Sequence, residues 1–403
     1  MGSQSFPDGF FWGAATSAHQ VEGGNRNDWT EWEKSPARIA DLKKRGLNPD
    51  DFVSGRACDH YNRFREDFDI AKQLGHNAHR FSIEWSRIEP EEGRFDEREI
   101  DHYRKVLVAL REQRIKPFVT LWHWTLPIWM QKKGGWESRE IVAFFSRYCE
   151  KIASEFQNNV TYWMILNEPQ YWFWNAYGSH KFPPQRGIIH AAMIYWHLAA
   201  AHRRVYRELK KINPRFEIGV VESTGAYTPK AAHFFISPIR NFLFPSLVKG
   251  YFDFFGLNYY RKVSLLGRKE NSVSAEIGWE IYPEGFYQII GEAYRRFNKP
   301  IVITENGIAD SRDRLRGEFI RDHIIAMKKA IQKGADVRGY FYWSLLDNFE
   351  WDSGFAPRFG LVEVDYKTME RRIRPSAWAY KEIIERCRMS EKNKAPGDSH
   401  GRD

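Results

Sequence analysis

Eight short β-rich runs, separated by stretches of helical periodicity, restrict the fold of this chain more than any other feature. They fall at 10–16, 77–83, 117–122, 162–167, 217–221, 253–259, 300–304 and 339–344. After the first run, Tyr61, Phe64, Phe68, Ala71 and Leu74 recur on one helix face, with Gly75 as a stop. Ile100, Tyr103, Leu107 and Leu110 do the same after the second, and a long helical stretch at 188–211 ends before Asn213-Pro214. Strands that alternate with helices form a parallel sheet with the helices outside. Eight such units favour an α/β fold of one kind, a single (β/α)8 TIM barrel, over a doubly wound sheet. No Gly-x-Gly-x-x-Gly follows the first run and no phosphate loop is present, which argues against a nucleotide site. Residues 1–389 read as one domain. Residues 390–403 are polar, lack large apolar side chains, and are expected to form a disordered tail.

In a barrel of this type, function sits where the strands end. Ile301-Val302-Ile303-Thr304 reads as a buried strand that runs into Glu305-Asn306-Gly307, with Gly307 expected to turn the chain. A carboxylate there is costly unless something pairs or uses it. Ile165-Leu166-Asn167-Glu168-Pro169 repeats the pattern. Gln20 and Glu22 follow the first run, and Arg80 and Glu84 lie at the second. His123 and Trp124 end the third, Asn258 and Tyr260 the sixth, and Trp343 the eighth. Beyond it lie Asp347, Asn348, Glu350 and Trp351. One acid in such a place is more often a cap or an ion-pair partner than a catalyst. Seven strands that send polar and aromatic groups to one face argue for a site.

Composition enters at this point. Sixteen Trp, 19 Tyr and 29 Phe exceed what a core needs and suit a cleft for sugars or other ring-shaped ligands. The net charge of +9 comes without a Lys/Arg block, and basic residues alternate with acids, as in Arg94-Phe95-Asp96-Glu97-Arg98-Glu99. A solvated surface is therefore expected, with no nucleic-acid partner. Cys58, Cys149 and Cys387 are odd in number and lack metal spacing, so reduced thiols are expected, with no metal and no cofactor. The chain opens without a signal-peptide pattern, and no apolar run approaches the length of a membrane span, which makes the cytoplasm the expected location.

Glycoside cleavage is the chemistry this set suits. An acid must protonate the glycosidic oxygen as the bond breaks, and a carboxylate must meet the developing positive charge at the anomeric carbon. Retaining enzymes hold the two carboxyl groups about 5 Å apart. Glu168 and Glu305 need different pKa values to share this work. Arg80 by charge, and Tyr260 by hydrogen bond, would keep Glu305 ionised, leaving Glu168 as the protonated partner. Gln20, His123, Asn167 and Glu350 offer hydrogen bonds to sugar hydroxyls, and Trp343 or Trp351 a stacking face.

Longer blocks carry a family resemblance. Phe11-Trp12-Gly13-Ala14-Ala15-Thr16-Ser17 is followed by Gln20-Val21-Glu22-Gly23, and Arg80-Phe81-Ser82-Ile83-Glu84-Trp85-Ser86-Arg87 lies at the second run. Asn167-Glu168-Pro169, Asn258-Tyr259-Tyr260, Thr304-Glu305-Asn306-Gly307 and the stretch from Trp343 to Trp351 complete the set. From about Phe6 to Glu385 the chain resembles glycoside hydrolase family one, the β-glucosidase and β-galactosidase family. The resemblance implies a retaining mechanism with Glu168 as acid/base and Glu305 as nucleophile. It also implies that Gln20, His123, Trp124, Asn167, Glu350 and Trp351 line the sugar subsite over Trp343, and that Asn258 and Tyr260 support the nucleophile.

Two departures from the family pattern bear on the substrate. The chain is short between Val221 and Asp253 and between Arg261 and Trp279, like the compact archaeal-type members, so the outer cleft is the uncertain part. Tyr171, Trp172, Phe173, Trp174 and Phe182 follow Glu168, which predicts an apolar or aromatic leaving-group site, with half of these rings expected in a helix core instead. Glu350 occupies a hydroxyl-binding place and would repel a phosphate. Ala356-Pro357-Arg358-Phe359-Gly360 lacks the Lys and Tyr of the phospho-sugar branch, so neutral sugars are expected. The expected function is an exo-acting, β-glucosidase-like hydrolase of β-D-glycosides. A transglycosylase using the same residues is one alternative. A non-catalytic sugar-binding protein is the other, and retention of both glutamates counts against it. Glucose, galactose, fucose and mannose are not distinguished by these residues.

Overall fold

Every one of the eight runs is a strand, and the strands close in chain order into one parallel barrel. They are β1 (Phe11–Ala15), β2 (Ala78–Ser82), β3 (Lys116–Trp122), β4 (Tyr162–Asn167), β5 (Glu217–Thr228), β6 (Phe254–Ser264), β7 (Ile301–Asn306) and β8 (Val337–Trp343). Pairing of Trp12 with Tyr340 and Ala15 with Trp343 joins β8 to β1 and completes the circle. The structure, a computed structural model, describes residues 6–187, 191–267 and 273–392.

The main helices are α1 (His60–Gln73), α2 (Glu97–Glu112), α3 (Ile141–Phe156), α4 (Ala191–Ile212), α5 (Lys230–Arg240), α6 (Pro283–Phe297), α7 (Arg316–Gln332) and α8 (Pro375–Lys392). Their local signals match the chemistry of helix ends. Asp96 caps α2 by accepting from the Arg98 amide at 2.9 Å. The face of α2 that packs inward carries Ile100, Tyr103, Leu107 and Leu110, as the periodicity predicts. Gly75, at φ 76°, lets the chain leave α1 through the left-handed region. The helix expected at 188–211 is α4, with 188–190 outside the described residues. Helix α8 runs through Lys392, past the start of the expected tail, and 393–403 lie outside the described residues. Among the described residues, no helix is long and apolar enough to cross a membrane.

Inside the barrel, Phe11, Phe118, Tyr162, Phe254 and Phe341 form a plug separate from the helix-facing core, with Phe118 stacked on Tyr162 at 4.3 Å. The barrel is a packed core rather than a pore. Ile301 and Ile303 of β7 face the other way, into the helix layer. Strict alternation would send Glu305 with them. Two register shifts prevent this. Leu257 pairs with Ile303 but Asn258 with Glu305, and on the other side Ile303 pairs with Tyr340 but Asn306 with Tyr342. The strand carrying Glu168 has the same device, since Met164 pairs with Gly219 and Asn167 with Val221. Extra residues of this kind re-aim side chains at a barrel rim.

Gly307 does not act as expected. It is absent from the left-handed region, and its requirement is steric instead. A Cβ there would sit 1.8 Å from the Trp343 carbonyl oxygen, so β7 and β8 can approach only over a bare Cα. Strands β5 and β6 also outrun the sequence expectation. Beyond the barrel they continue as a ribbon, Ala226 beside Lys262 through Thr228 beside Ser264.

Candidate active site

At the C-terminal ends of the strands lies a cavity of about 770 Å³. Gln20, His123, Trp124, Glu168, Tyr260, Glu305, Trp343, Glu350 and Trp351 all line it. Arg80, Asn167 and Asn258 sit beneath that surface as a buried layer that orients the groups above.

Glu305 is held at both oxygens. Arg80 donates Nη1 to Oε1 as a buried ion pair, and the Tyr260 hydroxyl donates to Oε2 at 2.5 Å. Burial of an ion pair is tolerable only when its remaining donors are satisfied. Arg80 meets this requirement, giving Nη2 to Asn167 Oδ1 at 2.6 Å, Nη1 to the Thr304 carbonyl at 3.2 Å and Nε to Thr120 at 3.3 Å. The Tyr260 phenol is pushed well above its ordinary range by burial and by the charge of Glu305, so it stays a donor.

Glu168 is held more loosely. Asn258 Nδ2 donates to its Oε1 at 2.7 Å, and Thr304 donates to Asn258 Oδ1 at 2.6 Å, which fixes the amide's orientation. Burial and the Glu305 charge raise the Glu168 carboxyl to about 8, against the lowering effects of Asn258 and Arg80. The two glutamates therefore differ as acid chemistry requires: one is tied to a cation, the other is buried beside an anion. Glu168 also stands at φ 44°, a left-handed position for a non-glycine residue. Strain of that kind clusters at functional sites.

The Arg80 layer reaches further. Asn167 Oδ1 faces Arg80, so its Nδ2 must be the atom 3.1 Å from His123 Nε2. An amide nitrogen only donates, so Nε2 accepts and the imidazole proton sits on Nδ1. Burial lowers the His123 pKa well below its ordinary value, so the ring is neutral. Its Nδ1 is buried and has no partner among the described residues, which leaves a donor at the cavity wall. Gln20 is more committed. Its amide donates to Asn348 at 2.8 Å and the Phe349 carbonyl at 2.9 Å, and Ser17 donates to its oxygen at 2.6 Å. One acceptor position on Oε1 remains for a ligand. Trp124 spends its indole N–H on the Asn167 carbonyl at 2.9 Å and offers the cavity a face.

Glu350 requires a correction. Burial and the Glu305 charge push its carboxyl up to about 8, even though the Trp343 indole donates to it at 3.1 Å. It is not the fixed negative charge that repulsion of a phosphate assumed.

Several strand-end residues from the sequence are structural. Glu22 pairs with Arg87 at 2.8 Å and accepts from Tyr103, and Glu84 accepts from Thr125 and Ser86. Asp347 takes both Arg374 nitrogens at 2.8 and 2.9 Å. Of the five aromatics after Glu168, Tyr171, Trp174 and Phe182 line the cavity, whereas Trp172 and Phe173 are core residues packed on Trp122 and Tyr195. Sequence reasoning missed Tyr227, Arg240, Arg261 and Trp279, which line the mouth. It also missed Glu222, a buried acid whose carboxyl burial raises well above its ordinary value.

Comparison with known proteins agrees with this geometry. The chain matches Glycosyl hydrolase family 1 over residues 2–235 and 245–389. It is 35% identical to β-glucosidase A of Thermotoga maritima, over 95% of this chain and 98% of that one. It is 30% identical to a β-galactosidase of Pyrococcus woesei, over 94% and 97%. The solved structure of the Thermotoga maritima β-glucosidase with glucoimidazole superposes with a TM-score of 0.86 at 32% identity, over 95% of this chain and 99% of that chain. The same enzyme with galacto-hydroximolactam superposes at 0.87 and 33%, with the same coverage. The chain is an enzyme, a β-glycosidase that belongs to glycosyl hydrolase family 1.

Proposed function

We propose that the enzyme removes terminal, non-phosphorylated β-D-glycosyl residues with retention, through a covalent sugar ester on Glu305. The observation that carries this reading is the split between the two glutamates. Glu305 is ion-paired at one oxygen and hydrogen-bonded at the other, and Glu168 is held protonated by burial and by that neighbouring charge. In the first step Glu305 attacks the anomeric carbon. The bond to the aglycone breaks towards its oxygen, which takes the proton of Glu168. Forming the ester removes the negative charge that raised the Glu168 pKa, so Glu168 becomes a better base for the next step. It takes a proton from water, water oxygen bonds to the anomeric carbon, and the ester electron pair returns to Glu305. Because side chains fill the barrel below, the sugar enters and leaves by the mouth, which suits exo action.

His123 Nδ1, the free acceptor site of Gln20, and Glu350 are the hydroxyl-binding groups of this reading, over the face of Trp343. Relatives bound to both a gluco- and a galacto-configured inhibitor support a subsite that accepts either sugar. A panel of 4-nitrophenyl β-D-glycosides, with the first-formed anomer followed by NMR, tests the proposal. β-Sugar should appear first and mutarotate later. Initial release of the α-anomer would overturn retention, and release of internal fragments from oligosaccharides would overturn exo action.

A further inference from the structure

The cavity changes character from floor to mouth. Among the described residues, three of the four acids lining it are Glu168, Glu305 and Glu350, while the cations Lys181, Arg240 and Arg261 belong to the surrounding wall. Arg240 closes helix α5, and Arg261 lies on β6 next to Tyr260. Neither forms an ion pair among the described residues. Asp352, the fourth lining acid, is raised by burial and answers to Lys181 and Arg38.

Each guanidinium instead lies over an indole. Arg240 Cζ is 4.7 Å from the Trp174 ring centre and Arg261 Cζ is 5.0 Å from that of Trp279, and both tryptophans line the same cavity. The charges of both cations act on Tyr227, which lines the same cavity. Burial raises its phenol, and Arg240 and Arg261 both pull it back. A guanidinium stacked on an aromatic ring uses its face and keeps its N–H donors in the plane, where they match a two-oxygen anion. Two such cations, without a carboxylate partner among the described residues and set against indole faces, describe a site for a flat ligand with an anionic edge.

We propose that the outer cavity binds an aromatic aglycone bearing a carboxylate, with Arg261 and Arg240 as its anchors and Trp279 and Trp174 as its walls. This deepens the β-glycosidase reading and rests on it. It also revises the apolar leaving group expected from the aromatics after Glu168, because the aromatic surface is there but it comes with charge. The anion belongs to the aglycone rather than the sugar, since Arg240 and Arg261 stand in the surrounding wall and Arg80 on the floor is already paired with Glu305.

The test compares 4-carboxyphenyl β-D-glucoside with its 4-carbamoylphenyl isostere, in the native enzyme, Arg261→Gln, Arg240→Gln and the double variant. The native enzyme should favour the carboxylate by about five- to tenfold in kcat/KM, mostly through KM, as expected for a charge-assisted contact in a partly open site. The ratio should fall towards one in the double variant, and towards one in the native enzyme at high salt. Equal rates for the two substrates, or a preference that survives the double substitution, would overturn the anchoring. Calorimetry with the non-cleavable 1-thio analogues separates the two readings. If neither glucoside is hydrolysed, the catalytic proposal fails. The anchoring still stands or falls on whether the thio-carboxylate binds more tightly than the thio-amide.

Discussion

Floor and mouth of one cavity are built on opposite principles. On the floor, the catalytic candidates are buried and their oxygens are tied down: Glu305 by Arg80 and Tyr260, Glu168 by Asn258, Glu350 by Trp343. Those partners are themselves held by Asn167, Thr304 and Thr120. At the mouth, Tyr227 and Arg261 stand on β5 and β6, Arg240 ends α5 and Trp279 lies in the loop after β6, and the cations lie on rings rather than on acids. A transition state rewards groups that need no rearrangement, so chemistry belongs on the rigid floor. Discrimination among aglycones needs only modest energies and tolerates adaptable side chains. On the proposed mechanism, the floor decides whether a bond breaks and the mouth which bond is offered.

Breaking the floor should therefore cost orders of magnitude. Glu305→Gln keeps the shape and an acceptor for Arg80 but removes the nucleophile, so kcat should fall by about 10⁴-fold or more on every glycoside tested. Steady-state rates on 4-nitrophenyl and alkyl β-D-glucosides check this, with a cooperative melt showing that the fold survives. Retained turnover would place the chemistry elsewhere. Glu168→Gln should divide the substrates. Alkyl glucosides need protonation on departure and should lose about 10²–10⁴-fold, the usual worth of a general acid. Nitrophenyl glucosides leave as stable phenolates and should lose far less in the glycosylation step. Equal losses on both would deny Glu168 the acid's role.

Much of this was legible in the chain because each floor residue sits in a short block with its own strand. Eight runs foretold eight strands, and Glu305 and Glu168 were exposed as anomalies by the apolar residues before them. The details of aim were not legible. Alternation points Glu305 into the helix layer, and only the register shifts at Asn258 and Asn306 turn it to the cavity. Local residue types do not reveal a shift that depends on two neighbouring strands at once. The mouth was hidden for a related reason. Arg240 and Arg261 lie 21 residues apart in unremarkable surroundings, and nothing local shows that β5 and β6 run on beyond the barrel. Among the aromatics after Glu168 a core share was expected, and it falls to Trp172 and Phe173, while Tyr171 and Trp174 face the cavity.

Two smaller perturbations sharpen the account of the floor. Tyr260→Phe removes one hydrogen bond from the Glu305 carboxylate and should lower kcat by about 10–100-fold, in line with a bond to a charged group. KM should move little, because the bond serves the nucleophile rather than the ground-state sugar. An unchanged kcat would show that Arg80 alone positions Glu305. The pH profile is the next test. Glu168 must carry its proton for the first step, and its carboxyl is raised to about 8, so kcat/KM should hold through neutrality and decline above about that pH. The Glu305 charge is one cause of the rise, so in Glu305→Gln the Glu168 carboxyl should titrate at lower pH. NMR titration of labelled glutamate measures it, and a pKa that stays put would leave burial as the sole cause.

The smallest effect is expected on the outer face of α5, where the mouth meets solvent. Phe234 and Phe235 are 73% and 70% exposed, so neither supports the helix. Support comes from the opposite side. His233 contacts Glu292 at 2.6 Å, Ser237 donates to Glu292 at 2.9 Å, and Gln170 donates to the Ile239 carbonyl at 2.9 Å. If these contacts fix Arg240, replacing both phenylalanines by serine should leave kcat/KM within about twofold and stability within about 0.5 kcal/mol, as for surface changes away from special features. Glu292→Ala should do more, because it frees α5 at two points and lets Arg240 drift from Trp174. Its signature would be a reduced preference for the carboxylate-bearing aglycone while the nitrophenyl rate holds. A double serine variant that lost tenfold in kcat/KM would reverse the argument, since the mouth would then depend on its solvent face rather than on the contacts beneath it.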